Sequence, residues 1–116
     1  MYVDGFVAAV PEANRLAYKE HAEYAGNIFK EYGALKIVEC WADDVPEGKI
    51  TSFPMAVKCK DDERVIFSWV TWPSKEVRDK GWEAIMKDPR LDPEKSPMPF
   101  DGKRMIYGGF DVLLEL

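Results

Sequence analysis

Residues Arg64-Val65-Ile66-Phe67-Ser68-Trp69-Val70-Thr71-Trp72 are the strongest strand signal in this chain, and they are apolar on both faces. Side chains alternate along a strand. Val65, Phe67 and Trp69 therefore point one way, and Ile66, Val70 and Trp72 the other. A sheet built around such a strand must be covered on both sides. With 116 residues the chain is a single domain, 1–116, large enough to bury a core without disulfide or metal staples.

The remaining elements follow from periodicity and punctuation. Residues 2–10 are an apolar, β-branched and aromatic run stopped by Pro11, which predicts a strand. Residues 12–32 have helical spacing, with Ala17, His21, Tyr24, Ala25, Ile28 and Tyr32 on one arc and Gly33 as the stop. Residues 34–42 predict a second strand, with Leu35, Ile37, Glu39 and Trp41 on one parity. Residues 54–60 and 64–72 read as a hairpin across Asp61-Asp62-Glu63. Ser74 is placed to cap a helix over 75–88. A loop stiffened by Pro89, Pro93, Pro97 and Pro99 follows, and residues 104–114 predict the last strand.

This order is β-α-β, a hairpin arm, then β-α-β. It predicts an α+β, ferredoxin-like split β-α-β fold: one antiparallel sheet with both long helices on one face. The second face would then expose a patch larger than monomers tolerate. A homodimer that pairs two such faces, a dimeric α/β barrel, removes the problem.

Composition narrows the partners. The hydrophobic share of 47% and charged share of 32% suit a soluble domain. A net charge of −5 argues against nucleic acid, whose phosphates need a basic stripe. No apolar run approaches a membrane span, and the first residues lack the basic start of a leader, so a cytoplasmic protein without membrane attachment is expected. Cys40 and Cys59 form no CxxC motif and accompany a single histidine. They are expected to be free thiols, with no metal site.

Three segments carry a family resemblance: Met1-Tyr2-Val3-Asp4-Gly5-Phe6, the region from Glu39-Cys40-Trp41 to Pro54-Met55-Ala56-Val57-Lys58, and Pro99 to Phe110. Together they resemble the YbaA-like family of bacterial proteins, the domain of unknown function 1428. The resemblance implies a dimeric α/β barrel and a bacterial origin. It implies no established activity, cofactor or catalytic residue. Dimeric α/β barrels as a class include small monooxygenases, isomerases and haem-binding or haem-degrading proteins, with ligands commonly held between helices and sheet. That is analogy of fold alone.

The residues supply their own candidates. His21 falls on the apolar arc of the first helix and should face the sheet. It is either a general base, haem ligand or donor, or a core imidazole bonded to a carbonyl or tyrosine. Glu39 sits at an apolar strand parity, where an ionised carboxylate is costly unless paired. It is either the acid–base partner of His21 or an edge-strand acid paired with lysine. Asp4 and Asp111 raise the same question less sharply.

Tyr24 and Trp41 are candidate walls of a helix–sheet cleft, and Lys103 and Arg104 candidate anchors for an anionic group at its mouth. The alternative for Arg104 is an ion pair with an acid of the 89–101 loop. Trp41, Trp69, Trp72 and Trp82 line either an aromatic-ligand pocket or simply core and interface. A small aromatic or anionic ligand is thus expected, bound either by a cofactor-independent or oxidative enzyme or by a non-enzymatic dimeric module.

Overall fold

The computed structural model describes residues 1–116. The sheet is built from β1 (Tyr2–Pro11), β2 (Lys36–Trp41), β3 (Glu63–Trp72) and β4 (Ile106–Asp111). Its order is β2-β3-β1-β4, and every neighbouring pair is antiparallel. Two long helices, α1 (Arg15–Glu31) and α3 (Lys75–Lys87), complete the expected ferredoxin-like split β-α-β fold. The sheet is open rather than closed on itself.

Pleat parity divides the core. Ala8, Val10, Ile66, Val70 and Trp72 point toward the long helices, where Tyr18 and Ile85 meet them. The helices seat closely for local reasons. Ser74 Oγ accepts from the Val77 N–H at 3.2 Å and starts α3. Gly33 turns the chain out of α1 at φ +111°, a conformation only glycine adopts freely. Gly81 lets α3 press on the core, since a Cβ there would lie 2.6 Å from the Trp72 ring and 2.9 Å from the Tyr32 carbonyl.

One predicted strand is absent. Residues 54–60 do not form a hairpin arm; Phe53–Ala56 is a single helical turn, α2. Pro54 has no N–H to give to a ladder and its fixed φ suits a first helical turn. Ser52 Oγ caps that turn by accepting from Met55 N–H at 3.1 Å. The partner of β3 on that side is β2 instead. The 53–59 segment crosses the second sheet face and drives fully buried Val57 against Val7, Ala9 and Val65.

The rest of the second face stays open. Phe67, Ile106 and Phe110 are 45%, 46% and 62% exposed. The last strand is also shorter than expected. A single 3-10 turn occupies Gly102–Arg104, and the ladder ends at Asp111. Beyond it Leu113, Leu114 and Leu116 are exposed.

Candidate functional site

Helix α1 lies across the sheet so that Tyr18, His21, Ala22, Ala25 and Phe29 line a cavity of about 730 Å³. Phe6, Ile37, Ile66 and Val70 are its sheet side, and Trp82 and Phe100 close it with aromatic surface. At about 100° per residue this stripe is rotated by roughly 60° from the arc expected from sequence. The rotation puts Tyr18 inside, where it is 8% exposed, and leaves Tyr24 47% exposed. Tyr24 lines a separate shallow depression with Pro89 and Arg90, so it is not a wall of the cleft.

The cleft contains one short polar contact across the helix–sheet gap. The Tyr18 hydroxyl donates to Glu39 Oε1 at 2.5 Å. Ser68 is the register partner of Glu39 on β3 and is buried beside it. Burial pushes the Glu39 carboxyl above its ordinary range, while the hydroxyls of Tyr18 and Ser68 pull part of that back. Protein surrounds the carboxylate, yet the residue remains exposed to the water of the cleft, which moderates the shift. The Tyr18 phenol is pushed far up, first by burial and then by the neighbouring carboxylate, and stays protonated.

His21 lines the same cavity and is half-buried. Burial holds its imidazole below the ordinary value. No buried side-chain nitrogen or oxygen lacks a partner. The His21 ring makes no hydrogen bond within the protein, so its nitrogens are open to water. It is bonded to neither a carbonyl nor a tyrosine. Nor does a hydrogen bond or ion pair join it to Glu39, whose partner is Tyr18.

A second cavity of about 720 Å³ adjoins the first between α1 and β2. The two share Tyr18, Ala22, Gly26, Ile37, Glu39 and Ile66. Trp41 lines only this outer one, with the Arg15 guanidinium 5.4 Å from its ring centroid.

Lys103 and Arg104 line neither cavity. Arg104 is committed elsewhere: it bonds Glu63 at 2.7 Å, Asp101 at 3.0 Å and the Lys58 carbonyl at 2.8 Å. Its role is to tie the 58–63 turn to the loop before β4, so it does not anchor an anion at the cleft mouth.

Tyr18 escaped the sequence reading, and Asp4 was ranked there below Glu39. Tyr18 has a signal in hindsight, since it stands at 4-, 3- and 4-residue steps with Ala22, Ala25 and Phe29. Asp4, 3% exposed, is the larger surprise. Its carboxylate accepts from Trp72 Nε1 at 2.9 Å, Trp82 Nε1 at 2.8 Å and Arg78 Nη2 at 2.7 Å. That network joins β1, β3 and α3, and its acceptor sites are consumed by structure. Asp111, at the exposed end of β4, has no such surroundings. No group of three or more histidine, cysteine, aspartate or glutamate side chains is placed to hold a metal ion.

The family profile described as "Protein of unknown function (DUF1428)" matches residues 1–102. The chain belongs to this family. It is 58% identical over 114 residues to the protein named "Uncharacterized protein YbaA" in Escherichia coli K12, covering 98% of this chain and 97% of that one. The same figures hold for the YbaA protein of Shigella flexneri. Among solved structures, a dimeric ferredoxin-like protein from an uncultured marine organism superposes with a TM-score of 0.64. It covers 99% of this chain and 96% of its own at 15% identity, a likeness of fold alone.

Proposed function

We propose that this DUF1428 protein is a homodimer that binds a small molecule between α1 and the sheet, and that Glu39 and His21 move a proton there without a cofactor. The observation that carries the reading is the 730 Å³ cavity, lined at once by His21, Glu39 and Tyr18. Burial raises the Glu39 carboxyl and lowers the His21 imidazole, which brings the titration ranges of the two groups toward each other in one cavity. Glu39 takes a proton from an acidic C–H or O–H of the ligand. Glu39 or His21 returns it to the same molecule at another atom, so no oxidant or reductant is needed.

A non-enzymatic binding module is the second reading. What favours it is the Tyr18–Glu39 bond, which already occupies one carboxylate oxygen.

The dimer is supported by the open sheet face with Phe67, Ile106 and Phe110, and by the dimeric description of the similar marine protein. No helix is long and apolar enough to cross a membrane, and Cys40 and Cys59 are unbonded. Both facts are compatible with a cytoplasmic protein.

The test begins with native mass spectrometry of the purified protein for co-purifying small molecules, with an absorption spectrum checked for haem. Turnover and binding of the molecule so found are then compared in Glu39→Gln and His21→Gln. Loss of turnover with binding retained supports proton transfer. Unchanged turnover in both variants rejects it, and binding without any turnover leaves the module reading.

A further inference from the structure

The outer cavity carries a charge feature that proton transfer does not use. The chain has five arginines: Arg15, Arg64, Arg78, Arg90 and Arg104. Arg64, Arg78, Arg90 and Arg104 are each ion-paired with an acid. Arg15 pairs with none, although the chain carries a net charge of −5 and acids are plentiful. Its guanidinium lies over the Trp41 ring, at the cavity edge.

Lys19 and Lys30 line the same cavity and are also free of ion pairs. At about 100° per residue, Arg15, Lys19 and Lys30 fall within roughly 60° of one another on α1. The acids lining this cavity are Glu23 and Glu39, and Glu39 is turned to Tyr18. The inner cavity is different in kind. Phe6, Phe29, Trp82, Phe100 and Met105 give it an apolar and largely aromatic wall.

We infer that the cleft takes an elongated molecule with an apolar, aromatic body and one anionic end. The body fills the inner cavity and the anion meets Arg15 and Lys19 in the outer one, beside Trp41. This rests on the cleft-binding reading given above. A planar guanidinium held on an indole is pre-organised for a carboxylate or similar oxyanion, which it grips with two parallel N–H bonds. The shared wall at Tyr18 and Glu39 then faces the middle of the ligand.

Two fluorescent probes with the same body test this. One is 1-anilinonaphthalene-8-sulfonate; the other is neutral N-phenyl-1-naphthylamine, which differs by the sulfonate alone. The anionic probe is expected to bind about tenfold tighter, the worth of one charge-assisted contact. Added salt should erode that margin. Arg15 and Lys19 are exposed, so the double variant Arg15→Gln, Lys19→Gln should fold normally, as checked by its melting curve. It should abolish the margin and leave the neutral probe unaffected.

Equal affinities for the two probes, or a margin that survives the double variant, overturn the anion inference while cleft binding stands. Ala22→Phe, which fills the shared wall, should exclude both probes. Gly26→Leu serves the same purpose if that variant is unstable, since a Cβ at Gly26 meets only Ile37, at an ordinary 3.7 Å. Failure of both probes to bind the natural chain, or binding that persists in these filled variants, overturns the cleft reading and the anion inference with it.

Discussion

The Tyr18 hydroxyl reaches across the helix–sheet gap and donates to Glu39 Oε1 at 2.5 Å, tying α1 to the edge strand β2. The contact stabilises the ionised carboxylate, against a burial that favours the protonated form. Burial is the larger of the two effects, so the Glu39 carboxyl lies above its ordinary value of 4.5. Tyr18→Phe should therefore raise it further, a shift that NMR titration of the Glu39 carboxyl would read. The same variant should cost about 1 kcal/mol of stability, the net worth of one hydrogen bond. An unchanged titration would mean that the two groups are not coupled.

A raised carboxyl also has a stability sign. The folded state holds the Glu39 proton more tightly than the unfolded chain, so stability is present below 4.5 and lost as pH rises through the folded value. At neutral pH the ionised group is a burden on the fold. Glu39→Gln, which can still accept from Tyr18, is expected to keep or raise the melting temperature at pH 7. A clear fall would contradict this account. Such gains are common where a functional group is removed.

His21 acts in the other direction. Burial lowers its folded value below 6.5, so the unfolded chain binds the proton more readily. Stability is expected to fall as pH drops below 6.5 and through the lowered folded value, and to be recovered above it. Urea denaturation across that range should show the slope, and His21→Gln should flatten it. An unaltered slope in the variant would assign the pH dependence to other groups.

Asp4 should dominate stability. Asp4→Ala takes the shared acceptor from two indole N–H groups and leaves Arg78 only its exposed partner Asp79. The expected loss is about 3 kcal/mol, as for other broken buried pairs. Asp4→Asn keeps an acceptor for the indoles and should lose less. Chemical denaturation of the two variants gives the comparison, and equal losses would show that the charge does not matter.

The open sheet face predicts its own assembly. Light scattering should give twice the chain mass, since an obligate interface of this kind buries more than about 2,000 Å². Phe67→Asp places a charge at the middle of that face and should shift the protein to monomer or to aggregate. A wild-type monomer at micromolar concentration would rule the dimer out.

Four strands, the two long helices and the split β-α-β class were legible in the sequence, while the neighbour of β3 on the β2 side was not. Two-sided apolarity in residues 65–72, the Ser74 cap and the Gly33 stop are local signals, because backbone sterics and neighbouring side chains act within a turn or a pleat. Local chemistry also held the answer for Phe53–Ala56, in Ser52 and Pro54. A short apolar run alone does not separate strand from helix there. Packing decided the rest. The roll of α1 that brings Tyr18 inward and turns Tyr24 out depends on how a whole helix seats on the sheet. The partners of Glu39 and Asp4 lie 21 to 78 residues away along the chain. No local preference encodes such meetings, since they exist only once burial has made an unpaired carboxylate expensive. Arg104 and Arg15 make the same point from opposite sides. Each is a cation in a polar stretch of sequence; the loop acid expected for Arg104 is Asp101, three residues away, but only the fold adds Glu63 and the Lys58 carbonyl to it and leaves Arg15 facing a cavity.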